Sequence, residues 1–107
     1  MPSKTKRGTN HIFRMRRNRG FAQKHLARLL GHRYTYMVSK YERGACLPPL
    51  QTAILLEIAL GVRLSEIYVD LYRDLQFQLL RRADALPVSL RRSVLGRISG
   101  RDDDEHP

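Results

Sequence analysis

The apolar positions of this chain recur mostly every three or four residues, which is the spacing of amphipathic α-helices. Asn10 is a favourable N-cap residue, and a stripe that starts at Ile12 follows it until Gly20 interrupts the helical pattern. No segment of the sequence shows the strict alternation of a half-buried strand. The pattern therefore predicts an all-α protein whose first helix begins near Asn10 and ends before Gly20.

Two short helices are predicted next, one on each side of Gly31. The first begins near Gln23, and the second runs from about Thr35 to Arg43. Gly31 suits the position just after a helix, where glycine adopts the left-handed conformation without strain. The positions predicted to be buried in this pair are Leu26, Ala27, Leu30, Val38 and either Tyr41 or Glu42.

A stiff connector, Leu-Pro-Pro-Leu at residues 47–50, leads into a fourth helix that is predicted over Leu50–Leu60. Gly61 ends this helix, and a fifth helix begins near Leu64 or Ser65. This helix is predicted to carry, on or near one face, Leu50, Ala53, Ile54, Glu57 and Ile58.

A narrow apolar stripe then continues to about Arg82, through Tyr68, Leu71, Tyr72, Leu75 and Leu79. It exceeds what a five-helix domain needs to close its core. We expect it either to pack back on the domain or to form a two-fold dimer interface. Pro87 breaks the pattern, and Ser89 is predicted to cap a last short helix that carries Leu90, Val94 and Ile98.

These elements predict four segments. A flexible basic arm over residues 1–9 precedes a domain of residues 10–72. A helical extension over residues 73–99 follows, with a role in dimerisation as one alternative. The acidic tail of residues 100–107 is predicted to be disordered.

The charge of the chain is concentrated in its first part. Residues 1–43 hold twelve lysines and arginines against one acid, Glu42, whereas residues 44–107 hold eight arginines against nine acids. The formal net charge of +10 therefore arises entirely from the segment with the first three helices. Such a field is typical of a surface that binds a polyanion and releases its counterions.

Several classes of protein are not expected from this composition. The single cysteine, Cys46, cannot form an internal disulfide and fits a reducing compartment. No run of residues is apolar enough for a membrane span, and the basic N-terminus lacks the apolar segment of a secretory signal. The histidines lack metal-ligand spacing, and no catalytic constellation is present. We expect a cytoplasmic protein, not an enzyme, with no cofactor and no metal.

The segment around Gly31 carries a specific motif. Arg-x-x-x-Gly-x-x-Gln-x-x-Leu-Ala-x-x-x-Gly spans residues 16–31, and Val-Ser-Lys-Tyr-Glu-Arg-Gly spans residues 38–44. Ala27, Gly31 and Val38 supply the small residue at the helix crossing, the turn and the apolar lock of a helix-turn-helix. The pattern resembles the phage-repressor and Cro-like (XRE-type) helix-turn-helix family over residues 12 to about 72. The resemblance implies a five-helix, repressor-like DNA-binding domain that usually acts as a dimeric transcription regulator. It also implies a bacterial or phage-encoded protein that is associated with the nucleoid.

Arg16 and Glu42 are predicted to pair. Arg16 lies on the core-facing stripe of the first helix, where an unpaired charge would be very costly. Glu42 is the only acid before Glu57, so it is the expected partner, and the family resemblance places a buried pair at the same positions. We interpret both residues as structural rather than catalytic.

Base contacts are expected from the exposed start and middle of the third helix, at Thr35, Tyr36 and Lys40, with Ser39 and Arg43 nearer the phosphates. Gln23 resembles the family's glutamine that contacts a phosphate and braces the third helix. The turn after Gly31 is one residue longer than the commonest family form, so the register of Thr35 and Tyr36 stays open. Arg33 and Tyr34 in this turn could reach the DNA backbone.

The main hypothesis is a sequence-specific regulator, a repressor in the first instance, that binds double-stranded DNA as a homodimer on a pseudo-palindromic operator. A second is an antitoxin-like or accessory module whose helical C-terminus binds a protein partner. A third, a non-specific nucleic-acid binder, rests on charge alone. The sequence does not name the operator or any effector.

Overall fold

The computed structural model describes residues 10–104, with side chains as far as residue 96. The predicted arm, residues 1–9, and the last three residues of the predicted tail lie outside this range. The described residues form helices and no strand, so the prediction of an all-α protein is confirmed. The helices are α1 (Ile12–Asn18), α2 (Gln23–Leu29), α3 (Tyr36–Arg43), α4 (Leu50–Leu60), α5 (Leu64–Ile67), α6 (Val69–Ala83) and α7 (Val88–Asp104). The chain forms two compact units, one up to Tyr72 and one from Arg73 onward.

The first unit has one apolar core to which each of its helices contributes. In it, α3 packs against α1 and α2, and α4 packs against α2 and α5. Burying this apolar surface is the main driving force for folding at each crossing. The core residues are Ile12, Leu26, Ala27, Leu30, Val38, Tyr41, Leu56, Leu60, Ile67 and Tyr68.

The end of α2 is fixed by Gly31, which has a φ of +84°. The amide of Gly31 donates to the carbonyl of Arg28, and the amide of His32 donates to the carbonyl of Ala27, 2.8 Å away. This pair of hydrogen bonds is a Schellman motif, which satisfies two carbonyls that a helix end leaves without partners. It ends α2 at a defined residue and so directs the chain toward α3.

The start of α1 differs from the prediction. His11, not Asn10, occupies the N-cap position, and the helix begins at Ile12. The Asn10 side chain accepts a hydrogen bond from the Ile12 amide at 2.9 Å and donates one to the carbonyl of Tyr41 at 2.8 Å. Because both ends of this amide are used, Asn10 joins the start of α1 to α3 as well as capping an amide.

The buried face of α4 is not the face on which the sequence groups Leu50, Ile54 and Ile58. Its buried residues are Thr52, Leu56 and Leu60, spaced four apart. Of the residues predicted to share one face, Ala53 is half-buried, whereas Leu50, Ile54, Glu57 and Ile58 are exposed. The helix is apolar on nearly every side, so helical periodicity does not distinguish its inner face from its outer face.

A break at Tyr68 separates α5 from α6. Tyr68 leaves the helical region with φ −114° and ψ 61°, and its side chain is buried in the core. Tyr68 is therefore separated from the rest of the predicted stripe, which lies on α6. Beyond the break, Tyr72, Leu75 and Leu79 are exposed.

The second unit is a pair of helices with little buried surface. Ala83 is the one fully buried side chain among its residues 73–96. The guanidinium of Arg91 donates to the carbonyls of Asp84 and Leu86, and thereby fastens α7 to the loop before it.

The last helix is longer than predicted. It begins at Val88 and reaches Asp104, whereas the sequence predicts that order ends at Gly100. A helix that is already nucleated gains one hydrogen bond for each residue it adds, which favours its continuation through Gly100.

Candidate nucleic-acid interface

A buried hydrogen-bond network joins the first three helices. The Nε of Arg16 on α1 donates to Oε2 of Glu42 on α3 at 2.5 Å, and its Nη2 reaches Oε1 at 3.3 Å. The two side chains are only 7% and 8% exposed. Gln23, the first residue of α2, donates from Nε2 to the same Oε1 at 3.0 Å. The structure thus brings Arg16 and Glu42 together, and Gln23 braces the pair.

Arg16 also fixes the loop between α1 and α2. Its Nη1 donates to the carbonyl of Phe21 at 2.9 Å, while its own carbonyl accepts the Phe21 amide at 3.1 Å. The guanidinium lies 5.2 Å from the centre of the Phe13 ring, within cation–π range. One side chain therefore sets the position of the loop, of α2 and of α3.

The start of α2 lacks the usual cap. Ala22 occupies the N-cap position and has no side-chain acceptor. The Ala22 amide instead donates to Nδ1 of His25 at 2.9 Å, which is half of a capping box. The contact also fixes Nδ1 of His25 as an acceptor.

The outer face of α3 and the turn before it carry most of the predicted contact residues. Tyr34 and Tyr36 are 70% and 62% exposed. The ammonium of Lys40 lies 5.1 Å from the centre of the Tyr36 ring, and the guanidinium of Arg33 lies 5.9 Å from that of Tyr34. These pairs form two adjacent aromatic-cation contacts on the surface.

The remaining predicted residues lie at the edges of the same face. Arg43, at the end of α3, is exposed, and Ser39 is half-buried. Thr35 is the N-cap residue of α3 with backbone angles in the helical region, so the regular helix begins at Tyr36. The expected start near Thr35 therefore differs from the observed start by one residue.

The surface of α1 to α3 holds cations without a free carboxylate. Between residues 10 and 43 the sequence has nine lysines and arginines, and its only acid is Glu42. That carboxylate accepts hydrogen bonds from Arg16 and Gln23 inside the buried network. The other eight positive charges of this segment are therefore not offset by any carboxylate within it.

The sequence did not indicate a role for Arg17. A shallow depression between α1 and α2 is lined by Arg16, Arg17, Gly20, Phe21, Ala22 and Gln23. Arg17 is exposed there, and its guanidinium lies 5.5 Å from the Phe13 ring centre. Its place beside Gln23 follows from the turn at Gly20, which spacing along the sequence does not reveal.

Two tyrosines are buried in the core, Tyr41 on α3 and Tyr68 at the end of α5. Burial raises the pKa of Tyr41, and a hydrogen bond with Thr52 partly opposes the shift. Burial also raises the pKa of Tyr68 to about 12, with a further contribution from the nearby Cys46 thiol. The hydroxyl of Tyr68 is buried without a hydrogen-bond partner. Both phenols are therefore neutral at physiological pH, and neither belongs to the exposed face.

Comparison of the chain with protein families, with characterised proteins and with solved structures finds no match. Among the described residues, no group of three metal-ligating side chains comes together. No helix in that part of the chain has the length and apolar character needed to cross a membrane.

Proposed function

We propose that the first unit is a repressor-like helix-turn-helix domain that binds double-stranded DNA in a sequence-specific way and regulates transcription as a dimer. In this proposal α2 and α3 are the two helices of the motif, and α3 lies in the major groove. The resemblance of residues 12–72 to the phage-repressor and Cro-like family supports the assignment.

One observation carries the proposal. The only acid of α1 to α3 is buried in an ion pair. Tyr36, Lys40 and Arg43 share one side of α3, and the exposed Arg33 and Tyr34 lie in the turn before it. A phosphate backbone requires such a surface, because any exposed carboxylate would oppose it. A surface that only keeps the protein in solution does not need its one carboxylate, Glu42, to be buried.

The roles of the residues follow from their positions. Lys40 and Tyr36 on the outer face of α3 are the proposed base contacts, with Thr35 at the helix start. Arg33, Tyr34, Ser39 and Arg43 are the proposed phosphate contacts around them, and Gln23 and Arg17 contact a phosphate from the depression beside α2.

The first experiment is selection of bound sites from a random DNA library by the full chain. A dimer is expected to enrich a pseudo-palindrome whose half-sites lie about one helical turn, or a multiple of it, apart. Recovery of no sequence above background, together with a steep salt dependence on any DNA, would instead identify a non-specific binder.

Substitutions on α3 separate base contacts from phosphate contacts. Lys40→Ala is expected to cost about 1–3 kcal/mol on the selected site and to relax selectivity at one base pair. Arg43→Ala should weaken binding to cognate and random DNA alike and reduce the salt slope by about 1. Fluorescence anisotropy titrations at several salt concentrations measure both effects.

Arg63→Ala is the matched control, since it removes an exposed arginine of the same unit outside α1 to α3. Its affinity should stay close to that of the unmodified chain. Equal losses on cognate and random DNA for Lys40→Ala would contradict the assignment of Lys40 to a base.

A further inference from the structure

The outer face of α4 carries an apolar stripe that the core does not use. Leu50, Ile54 and Ile58 are spaced four residues apart and are 73%, 47% and 69% exposed. They lie on the side of the helix away from the buried Thr52, Leu56 and Leu60. Three large aliphatic side chains in a continuous row on a folded unit mark a contact surface rather than scattered surface apolar residues.

The stripe is complementary to itself. If two α4 helices pack antiparallel about a two-fold axis through Ile54, each Leu50 meets the Ile58 of the other copy and Ile54 meets its own counterpart. Such an isologous contact needs no second surface, because the same residues appear on both sides. The spacing of four residues also matches the ridge that helices commonly use when they pack.

Charge favours this helix over the other long helices as a contact between copies. Two chains of formal charge +10 repel each other, so their contact must avoid the basic surface. Residues 50–60 contain no lysine or arginine and one acid, Glu57, whereas α1, α2, α3, α6 and α7 all contain basic residues. The carboxylate of Glu57 is already used, since it accepts the Leu64 amide at 3.1 Å.

We infer that the outer stripe of α4 is a two-fold interface between two copies of this chain, with Ile54 on the axis. The proposed DNA binding gives this contact a purpose, because a two-fold pair presents two α3 helices to one duplex. The contact between the two copies can be measured without DNA. At these exposures the stripe offers on the order of 400 Å² per copy, below the roughly 800 Å² of a standard interface, so the dimer is a dissociating one.

Site-directed cross-linking tests the geometry. In a Cys46→Ser background, Ile54→Cys should be joined to its counterpart by a short bismaleimide in the absence of DNA. Leu50→Cys and Ile58→Cys should each react poorly alone, but a mixture of the two should give a cross-linked heterodimer. This pattern distinguishes an antiparallel two-fold contact from a parallel pair or from random collisions.

Two matched cysteines serve as controls. Leu29→Cys on α2 is 50% exposed and should cross-link no faster than collision allows. Leu79→Cys on α6 is 45% exposed and tests the stripe of the second unit. Cross-linking of Leu79→Cys in place of Ile54→Cys would overturn the inference and place the contact on the second unit. A cross-linking rate for Ile54→Cys equal to that of Leu29→Cys would also overturn it.

Sedimentation equilibrium provides a second measurement. The mass of the unmodified chain should rise with concentration from 12.5 kDa toward twice that value. Ile54→Asp places two carboxylates on the axis and should raise the dimer dissociation constant roughly 100-fold, with an unchanged circular dichroism spectrum. A monomer at every concentration for the unmodified chain, or a dimer unaffected by Ile54→Asp, would refute the interface whether or not the chain binds DNA.

Discussion

At the scale of single residues, the burial of Glu42 has two effects. It neutralises the one arginine that faces the core, and it leaves the surface of α1 to α3 without a carboxylate. A buried ion pair is weak evidence of net stabilisation, because desolvation offsets much of the attraction. Its value here is positional, since the pair and Gln23 hold α1, α2 and α3 in one arrangement.

Removal of either partner is therefore expected to be severe. Arg16→Met or Glu42→Gln should lower the free energy of unfolding by about 3–5 kcal/mol, because the remaining charge stays buried without its partner. The double variant Arg16→Met/Glu42→Gln should lose less than the sum of the single changes. Urea denaturation followed by circular dichroism measures these values. Arg17→Ala is the control and should change stability by less than about 0.5 kcal/mol; strictly additive effects would argue against coupling.

The hydroxyl groups of the two buried tyrosines differ in their hydrogen bonding, and substitution by phenylalanine tests this difference. The Tyr68 hydroxyl has no hydrogen-bond partner, whereas that of Tyr41 bonds with Thr52. Tyr68→Phe should therefore raise the free energy of unfolding by about 1 kcal/mol, and Tyr41→Phe should lower it by about 1 kcal/mol. Thermal denaturation of the two variants provides a direct comparison, and a loss of stability in Tyr68→Phe would show that its hydroxyl is paired in solution.

Alkaline pH tests the same pair through linkage. The pKa of Tyr68 is raised to about 12 in the folded chain, above the value near 10 expected after unfolding. The neutral Tyr68 hydroxyl therefore makes its full contribution to the free energy of unfolding below pH 10. This contribution, about 2–3 kcal/mol, is lost as the pH rises toward 12. Stability measured from pH 9 to 12 should fall less steeply in Tyr68→Phe.

At the scale of helices, one glycine ends a helix and another lies inside one, so the same substitution by alanine is expected to have opposite effects on stability. Gly31 has a positive φ at the end of α2, and Gly96 lies within α7. A Cβ would meet no atom within 4 Å at either position, so only the backbone conformation matters. Gly31→Ala should destabilise the first unit by about 1–2 kcal/mol, while Gly96→Ala should stabilise α7 by about 0.5–1 kcal/mol. Melting curves and helical ellipticity measure both changes.

The helices also show where sequence periodicity is informative. In α1 to α3 the polar residues outnumber the apolar ones, so the few apolar positions identify the buried face. In α4 they do not, because apolar residues surround the helix and only packing against α2 and α5 selects Thr52, Leu56 and Leu60. The break at Tyr68 could not be predicted either, because the apolar residues keep their helical spacing through this position in the sequence.

At the scale of the whole chain, contacts between helices were predictable only where charge named the partners. The charge asymmetry and the motif of residues 16–44 predicted the Arg16–Glu42 pair, which the structure contains. They could not reveal the hydrogen bond between Asn10 and Tyr41, or the depression that Arg17 and Gln23 both line, because only the turns bring these residues together. The sequence shows which residues share a face of one helix. Which residues of different helices come together depends on how the helices pack.

The two units should differ in local stability. Residues 73–96 bury only Ala83 fully, while seven large apolar side chains of that segment stay exposed. Amides of α7 should therefore exchange with solvent at least tenfold faster than those of α4, as local opening costs little where little surface is buried. Hydrogen-exchange mass spectrometry measures this, and equal protection of the two helices would show that the second unit is covered in solution.

Four of the five tyrosines divide into two optical populations, and the chain has no tryptophan to obscure them. The fifth, Tyr72 on α6, is exposed away from both groups and adds a constant background. Tyr34 and Tyr36 stand exposed on the candidate DNA face, while Tyr41 and Tyr68 are enclosed in the core. Emission from the first pair responds to a ligand that stacks on or shields them, and emission from the second pair responds to loss of the core. Intrinsic fluorescence of the unlabelled chain thus separates docking from unfolding in one titration, with Tyr36→Phe as the variant that assigns the signal.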